Sequence, residues 1–154
     1  MNTIMYVDSP IGQLGLIDNG AALTHLLLRG ENEPDKATRG ETGLLRIAAA
    51  QLTEYFAGKR KQFDLPLAPQ GTQYQIRVWQ ALQTIPYGQT RSYGQIAAQT
   101  GNAKAARAVG LANNRNPISI IIPCHRVIGA NGSLTGYAGG LAAKAALLRL
   151  EGFL

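Results

Sequence analysis

Apolar residues in the first forty positions come in short runs, at 3–7, 14–17 and 23–28, separated by turn-forming residues at Ser9, Pro10, Gly12 and Asn19-Gly20. Runs of this length between such residues predict a small antiparallel sheet. Residues 31–40 are polar. The pattern then turns helical: Leu44, Ile47, Leu52 and Tyr55 share a face, and Gly58 stands where a left-handed C-terminal cap is expected. This half reads as a compact α/β unit. Its lack of polar constellations predicts a supporting role.

Composition shifts at residues 66–71, and the expected division is 1–67 and 68–154. Short helices and tight turns follow. Thr72 caps a helix carrying Val78, Trp79 and Leu82, which ends before the turn sequence Pro86-Tyr87-Gly88. Trp79 is read as core. Ser92 and Gln95 form a capping box for a short helix through residues 96–99, closed by Gly101. Asn102 is placed to cap the next helix, about 103–113, on which Lys104 and Arg107 stand three residues apart on one face. Two short helices around a Gly-containing turn fit a helix-turn-helix, although any compact helical hairpin would look alike. The fold class expected is therefore α+β: a small α/β domain, then a mainly helical domain with a helix-turn-helix or winged-helix-like element.

Charge sharpens the second half. Of the chain's 154 residues, 71–154 hold eight Lys and Arg against one carboxylate, Glu151, whereas 1–70 hold seven against eight. A concentrated positive field favours polyanions through counterion release, and equally fits an ordinary solvated basic surface. No run reaches the roughly 18 apolar residues of a membrane span, and no signal core opens the chain, so an intracellular, cytoplasmic address is expected. One cysteine and two histidines give no ligand cluster at motif spacing, so neither metal nor cofactor is expected.

The candidate chemistry lies in residues 118–128. The apolar run 118–122 (ISIII) reads as a buried strand or extended segment leading into Pro123-Cys124-His125-Arg126-Val127. A lone cysteine is commonly an inert core residue. Here an imidazole, a guanidinium and the Glu151 carboxylate would favour the thiolate, whose reference pKa is about 8.5. Neighbours on an extended strand point to opposite faces, so His125 is expected to reach the Cys124 sulfur through a water, with Glu151 orienting the imidazole. Glu151 also reads as a solvated residue closing the helix at 141–150. The glycines around Asn131 and Tyr137 fit either a wrap for a flat ligand or ordinary loops, and lack the ending of a phosphate loop. A DNA-binding regulator with a redox-sensitive thiol and a cysteine hydrolase using distant His25 are the competing readings.

These residues resemble the O6-alkylguanine-DNA alkyltransferases, the methylated-DNA-protein-cysteine methyltransferases. The similarity runs from about 71 to 152 through TQYQIRVWQAL, IPYGQTRSYGQIA, AARAVG, ANNRNPISIIIPCHRVIG, GYAGGLAAK and LEG. It implies a stand-alone, monomeric, single-turnover repair protein that binds double-stranded DNA through the minor groove and takes the alkyl group of O6-alkylguanine, with O4-alkylthymine a further substrate. Cys124 would be the nucleophile, His125 and Glu151 its activating chain, and Asn116 a brace. Tyr93 would donate to the guanine, Tyr137 would wall the pocket, and the carbonyls of Cys124 and Val127 would read the guanine amino group. Arg107 would fill the gap left by the extruded base, an extrusion that chemistry on a stacked base requires. Lys104, Ala105, Ala106, Gly110 and Arg115 would complete the DNA-facing surface. The chain departs from the commoner family pattern at Ala138, where only the backbone N–H remains to meet O6, and at Ala146 and Leu150.

Overall fold

The computed structural model describes residues 1–34 and 36–154; Asp35, within the polar segment 31–40, lies outside the described residues. Strands β1 (Asn2–Val7), β2 (Leu14–Asp18) and β3 (Leu23–Leu27) run antiparallel, as the apolar runs predict. The polar segment supplies a further strand, β4 (Ala37–Arg39), parallel to β1, so the sheet is mixed in the order β3-β2-β1-β4. Three residues of partly exposed edge strand satisfy the backbone of β1 without needing an apolar face, which is why the pattern gave no sign of them.

Helix α1 (Gly43–Phe56) begins at Thr42, whose hydroxyl accepts from the Leu45 N–H and donates to Asp18 Oδ2 at 2.5 Å. Its buried face is Leu45, Ala48, Gln51, Leu52 and Tyr55. The expected face was turned too far: Ile47 is 53% exposed. Gly58 adopts φ +74° just past the helix end, as a left-handed cap should.

The second half contains α2 (Gln73–Leu82), β5 (Arg91–Ser92), α3 (Tyr93–Gln99), α4 (Ala106–Asn114), a 3-10 turn (Cys124–Arg126), β6 (Val127–Ile128) and α5 (Leu141–Leu150). Both expected capping boxes are present, Thr72 with Gln75 and Ser92 with Gln95. Trp79 is buried and its Nε1 donates to Ala112 O at 2.9 Å, fixing α2 against α4. Helix α4 starts later than expected. Asn102 Oδ1 accepts from the Lys104 N–H at 3.0 Å in a local turn, and α4 begins with no side-chain cap. Lys104 therefore precedes the helix and does not share its face with Arg107. α3, the turn through Gly101 and α4 form the helix-turn-helix.

Residues 118–122 are not a strand. They fold into successive tight turns, with Ile121 N–H donating to Ser119 O, Ile122 N–H to Ile118 O and Cys124 N–H to Ile122 O. Ile120 sits at φ +72°, a conformation that costs a β-branched residue on the order of 1–3 kcal/mol and persists only where packing enforces it. Ile118, Ile120 and Ile122 are buried in one core that continues from Leu14 and Tyr55 to Trp79 and Leu147, so both halves share it. The outer edge of β3 is used by the same seam. Leu23 exchanges backbone hydrogen bonds with Pro66 O and the Ala68 N–H, and the Leu26 N–H donates to Pro117 O at 2.9 Å. No helix among the described residues is long and apolar enough to cross a membrane.

Candidate active site

The tight turns deliver Cys124 to the first position of the 3-10 turn, 4% exposed, beneath α4. Burial pushes its thiol pKa up, while the Asn116 and Ser119 side chains and the Lys144 charge pull toward the thiolate. Asn116 is itself fixed on both sides, its Nδ2 donating to Ile122 O at 2.7 Å and its Oδ1 accepting from the Ile118 N–H at 3.0 Å. It thus clamps the turn that carries the thiol.

Glu151 is not the solvated residue that its position at the end of α5 would allow. It is buried, and its carboxylate receives His125 Nε2 at 2.7 Å, Arg126 Nε at 2.7 Å, Arg126 Nη2 at 3.0 Å and the Tyr55 hydroxyl at 2.5 Å. Burial alone would raise this carboxyl. The hydrogen bonds from His125, Arg126 and Tyr55 overcome that and hold it well below the usual carboxylate range. Arg126 does not support the thiolate as expected: its remaining arm donates to Ile85 O at 2.7 Å, and the guanidinium serves Glu151.

Burial pushes His125 down from its ordinary value, against the pull of Glu151. A neutral imidazole facing an ionised carboxylate carries its proton on Nε2. Nδ1 then has a free lone pair, and it is buried without a hydrogen-bond partner among the described residues. The expected water-linked geometry rested on an extended strand; in the 3-10 turn the same base is available from a different backbone.

Lys144, fully buried on α5, donates from Nζ to Val127 O and Thr135 O, each at 2.6 Å. Burial pushes its pKa down to about 8, with the Cys124 charge opposing. The Tyr137 hydroxyl is buried and unpartnered among the described residues, and its pKa is raised first by burial and then by the charge of Cys124. Tyr93 opens α3 and its hydroxyl lies 3.0 Å from Thr135 Oγ1. Gly110 of α4 faces the Tyr93 ring, where a Cβ would meet it at 3.8 Å. Asn113, also on α4, donates from Nδ2 to Cys124 O at 3.3 Å.

Arg107, Lys104 and Arg115 are exposed, and none pairs with a carboxylate among the described residues. Ala105 and Ala106 are half-buried at the start of α4, and Ala138 is exposed. The structure thus gathers Cys124, His125, Asn116, Glu151, Tyr137 and Val127 around one centre and leaves the basic residues on the surface. Tyr55, Lys144, Ser119 and Asn113 belong to the same neighbourhood and were not expected from the sequence. Among the described residues no group of three His, Cys, Asp or Glu side chains is placed to hold a metal ion.

A buried thiol beside a carboxylate-paired imidazole, set under a helix-turn-helix, places the chain in the class of α+β proteins whose second half is of DNA-binding type. Comparison with known proteins gives the family. The profile described as "6-O-methylguanine DNA methyltransferase, DNA binding domain" matches residues 73–153, and that described as "6-O-methylguanine DNA methyltransferase, ribonuclease-like domain" matches residues 3–69. A methylated-DNA-protein-cysteine methyltransferase of Methanosarcina acetivorans is 55% identical over 149 residues, covering 94% of this chain and 95% of its own. One from Mycobacterium tuberculosis is 56% identical over 147 residues, covering 94% of this chain and 89% of its own. The crystal structure of Mycobacterium tuberculosis OGT in complex with DNA superposes with a TM-score of 0.92 at 54% identity, covering 97% of this chain and 92% of that one. The chain belongs to the 6-O-methylguanine DNA methyltransferase family.

Proposed function

We propose that this protein repairs DNA by direct reversal, taking the alkyl group of O6-alkylguanine irreversibly onto Cys124. The observation that carries the reading is the buried Glu151–His125 pair, which leaves Nδ1 of a neutral imidazole free in the turn that holds the chain's only thiol.

The proton of Cys124 passes to His125 Nδ1 through one bridging water, and the Lys144 charge favours the resulting thiolate. The sulfur attacks the alkyl carbon in line with the O6 bond. The S–C bond forms as the C–O6 bond breaks, and the electron pair of that bond stays with the guanine. The departing base takes a proton from the Tyr93 hydroxyl and leaves neutral, and solvent returns a proton to Tyr93 as His125 releases the one it took from Cys124. Tyr137 walls the pocket, and the Cys124 and Val127 carbonyls face the guanine amino group. A thioether does not leave under these conditions, so each molecule acts once.

The alkylated oxygen is out of a buried thiol's reach while the base is stacked, so the nucleotide must rotate out of the duplex. Exposed Arg107 on α4 takes its place, with Lys104, Ala105, Ala106, Gly110 and Arg115 against the backbone and the minor groove. We divide the chain into residues 1–67 and 68–154, the first part stabilising the seam behind the turn. A nucleophilic thiol needs reducing surroundings, which fits the cytoplasm.

The test is stoichiometry. With excess duplex carrying one O6-methylguanine, guanine is restored in an amount equal to the protein and no more, and Cys124→Ala restores none. Continued turnover, or restoration by Cys124→Ala, would contradict the proposal.

A further inference from the structure

We propose that Asn113 is a specificity-determining residue: its side-chain amide stands in for the guanine amino group at the Cys124 carbonyl, so the pocket tolerates alkylated bases that lack that group. This rests on the repair reading above and extends it to the choice of base.

O6-alkylguanine has lost the proton on N1, so its exocyclic 2-amino group is the only donor left on its pairing edge. The protein acceptors available to it are backbone carbonyls, and they are already engaged in the free protein. Val127 O receives Lys144 Nζ at 2.6 Å. Cys124 O receives the Val127 N–H within the 3-10 turn and Asn113 Nδ2 at 3.3 Å. The last is longer than the Lys144 contact and is the only one of the three made by a side-chain amide.

The other end of that amide is unusual. Asn113 is 2% exposed, yet its Oδ1 is buried and has no hydrogen-bond partner among the described residues. A buried unpaired acceptor is a cost that native proteins rarely carry without a use. Nothing on the oxygen side therefore holds the amide in its present rotamer. A base with a 2-amino group can displace Nδ2 from Cys124 O by turning the amide aside. A base without one leaves Nδ2 where it is, and the carbonyl stays paired. O4-alkylthymine and O6-alkylhypoxanthine are bases of the second kind. Sites that lack such a stand-in reject the analogue missing a donor because their own acceptor is left bare.

The experiment compares single-turnover transfer from duplexes carrying O6-methylguanine or O6-methylhypoxanthine, which differ only by the 2-amino group. The unmodified protein should prefer guanine by less than about tenfold, the upper end of what losing one of two hydrogen bonds at a buried carbonyl costs. In Asn113→Leu, which removes the donor at similar size, the guanine-to-hypoxanthine rate ratio should rise about tenfold, while Asn113→Gln, which keeps an amide, should hold the ratio near that of the unmodified protein. A ratio unchanged in Asn113→Leu, whatever the absolute rates, would overturn the proposal. So would an equal rise in Asn113→Gln, which would assign the effect to packing. Strong rejection of hypoxanthine by the unmodified protein would overturn it without any variant. Failure to transfer from O6-methylguanine would instead remove the repair reading itself.

Discussion

The protonation of His125 decides how the thiol is activated. Burial lowers its pKa and Glu151 fixes its proton on Nε2, so Nδ1 remains a base from neutral pH down into mild acid. A thiol whose pKa is raised by burial would by itself react about tenfold faster for each pH unit gained. With the imidazole as base, the proton moves within the site, and the rate should be nearly flat from about pH 6.5 up to the point near pH 8 where Lys144 loses its charge. His125→Ala should restore the steep rise, and a steep rise in the unmodified protein would contradict the assigned base. Arg107→Ala should slow transfer from duplex DNA by about tenfold or more while leaving the melting temperature unchanged, because the side chain is exposed and its work is on the DNA. Cys124 and His125 were legible because they are adjacent in sequence. Tyr55 was not: its hydroxyl meets a carboxylate 96 residues away, and on a helix face it reads only as a core aromatic. Lys144 was hidden for the opposite reason, since a lysine in a helical pattern is ordinarily assigned to the surface.

Elements whose signals lie within one turn were read correctly. The capping boxes at Thr72 and Ser92 each involve residues three apart, and Thr72→Ala should cost about 1 kcal/mol in chemical denaturation, with the slope against denaturant unchanged. Elements set by competition were not. Asn102 has the composition of a cap, but its side chain closes a turn on Lys104 and the helix begins at Ala106. The run 118–122 is apolar enough for a strand, and periodicity cannot tell a strand from a buried turn. What decides is tertiary: Ile118 bridges Leu26 of β3, Asn116 clamps Ile122, and the backbone between them must reverse through Ile120. β4 was missed because its pairing lies wholly in the backbone.

At the scale of the molecule, the N-terminal half makes contacts to the buried network that its sequence did not suggest. Tyr55 of α1 reaches the Glu151 carboxylate, and the edge of β3 binds the segment leading to Cys124. Removing the charge of Glu151 leaves Arg126 buried without its counterion, so Glu151→Gln should cost about 3–5 kcal/mol in equilibrium unfolding. The same network sets the response to acid. His125 and Glu151 both have depressed pKa values in the folded protein, so the unfolded chain binds protons first as pH falls. Stability should therefore decline as pH drops below about 6.5, where unfolded His125 protonates, and again below about 4.3, where unfolded Glu151 does. A melting temperature that rose or stayed level between neutrality and pH about 4 would contradict the buried network.

Peptide mass spectrometry after incubation with a duplex bearing one O6-methylguanine reads the transfer at the residue itself. A single methyl-sized gain is expected on the peptide containing Cys124, with guanine restored in the DNA. An adduct on another residue would contradict alkyl transfer to Cys124, and folded protein that bound the same duplex and carried no adduct would leave a lesion-recognition module in its place.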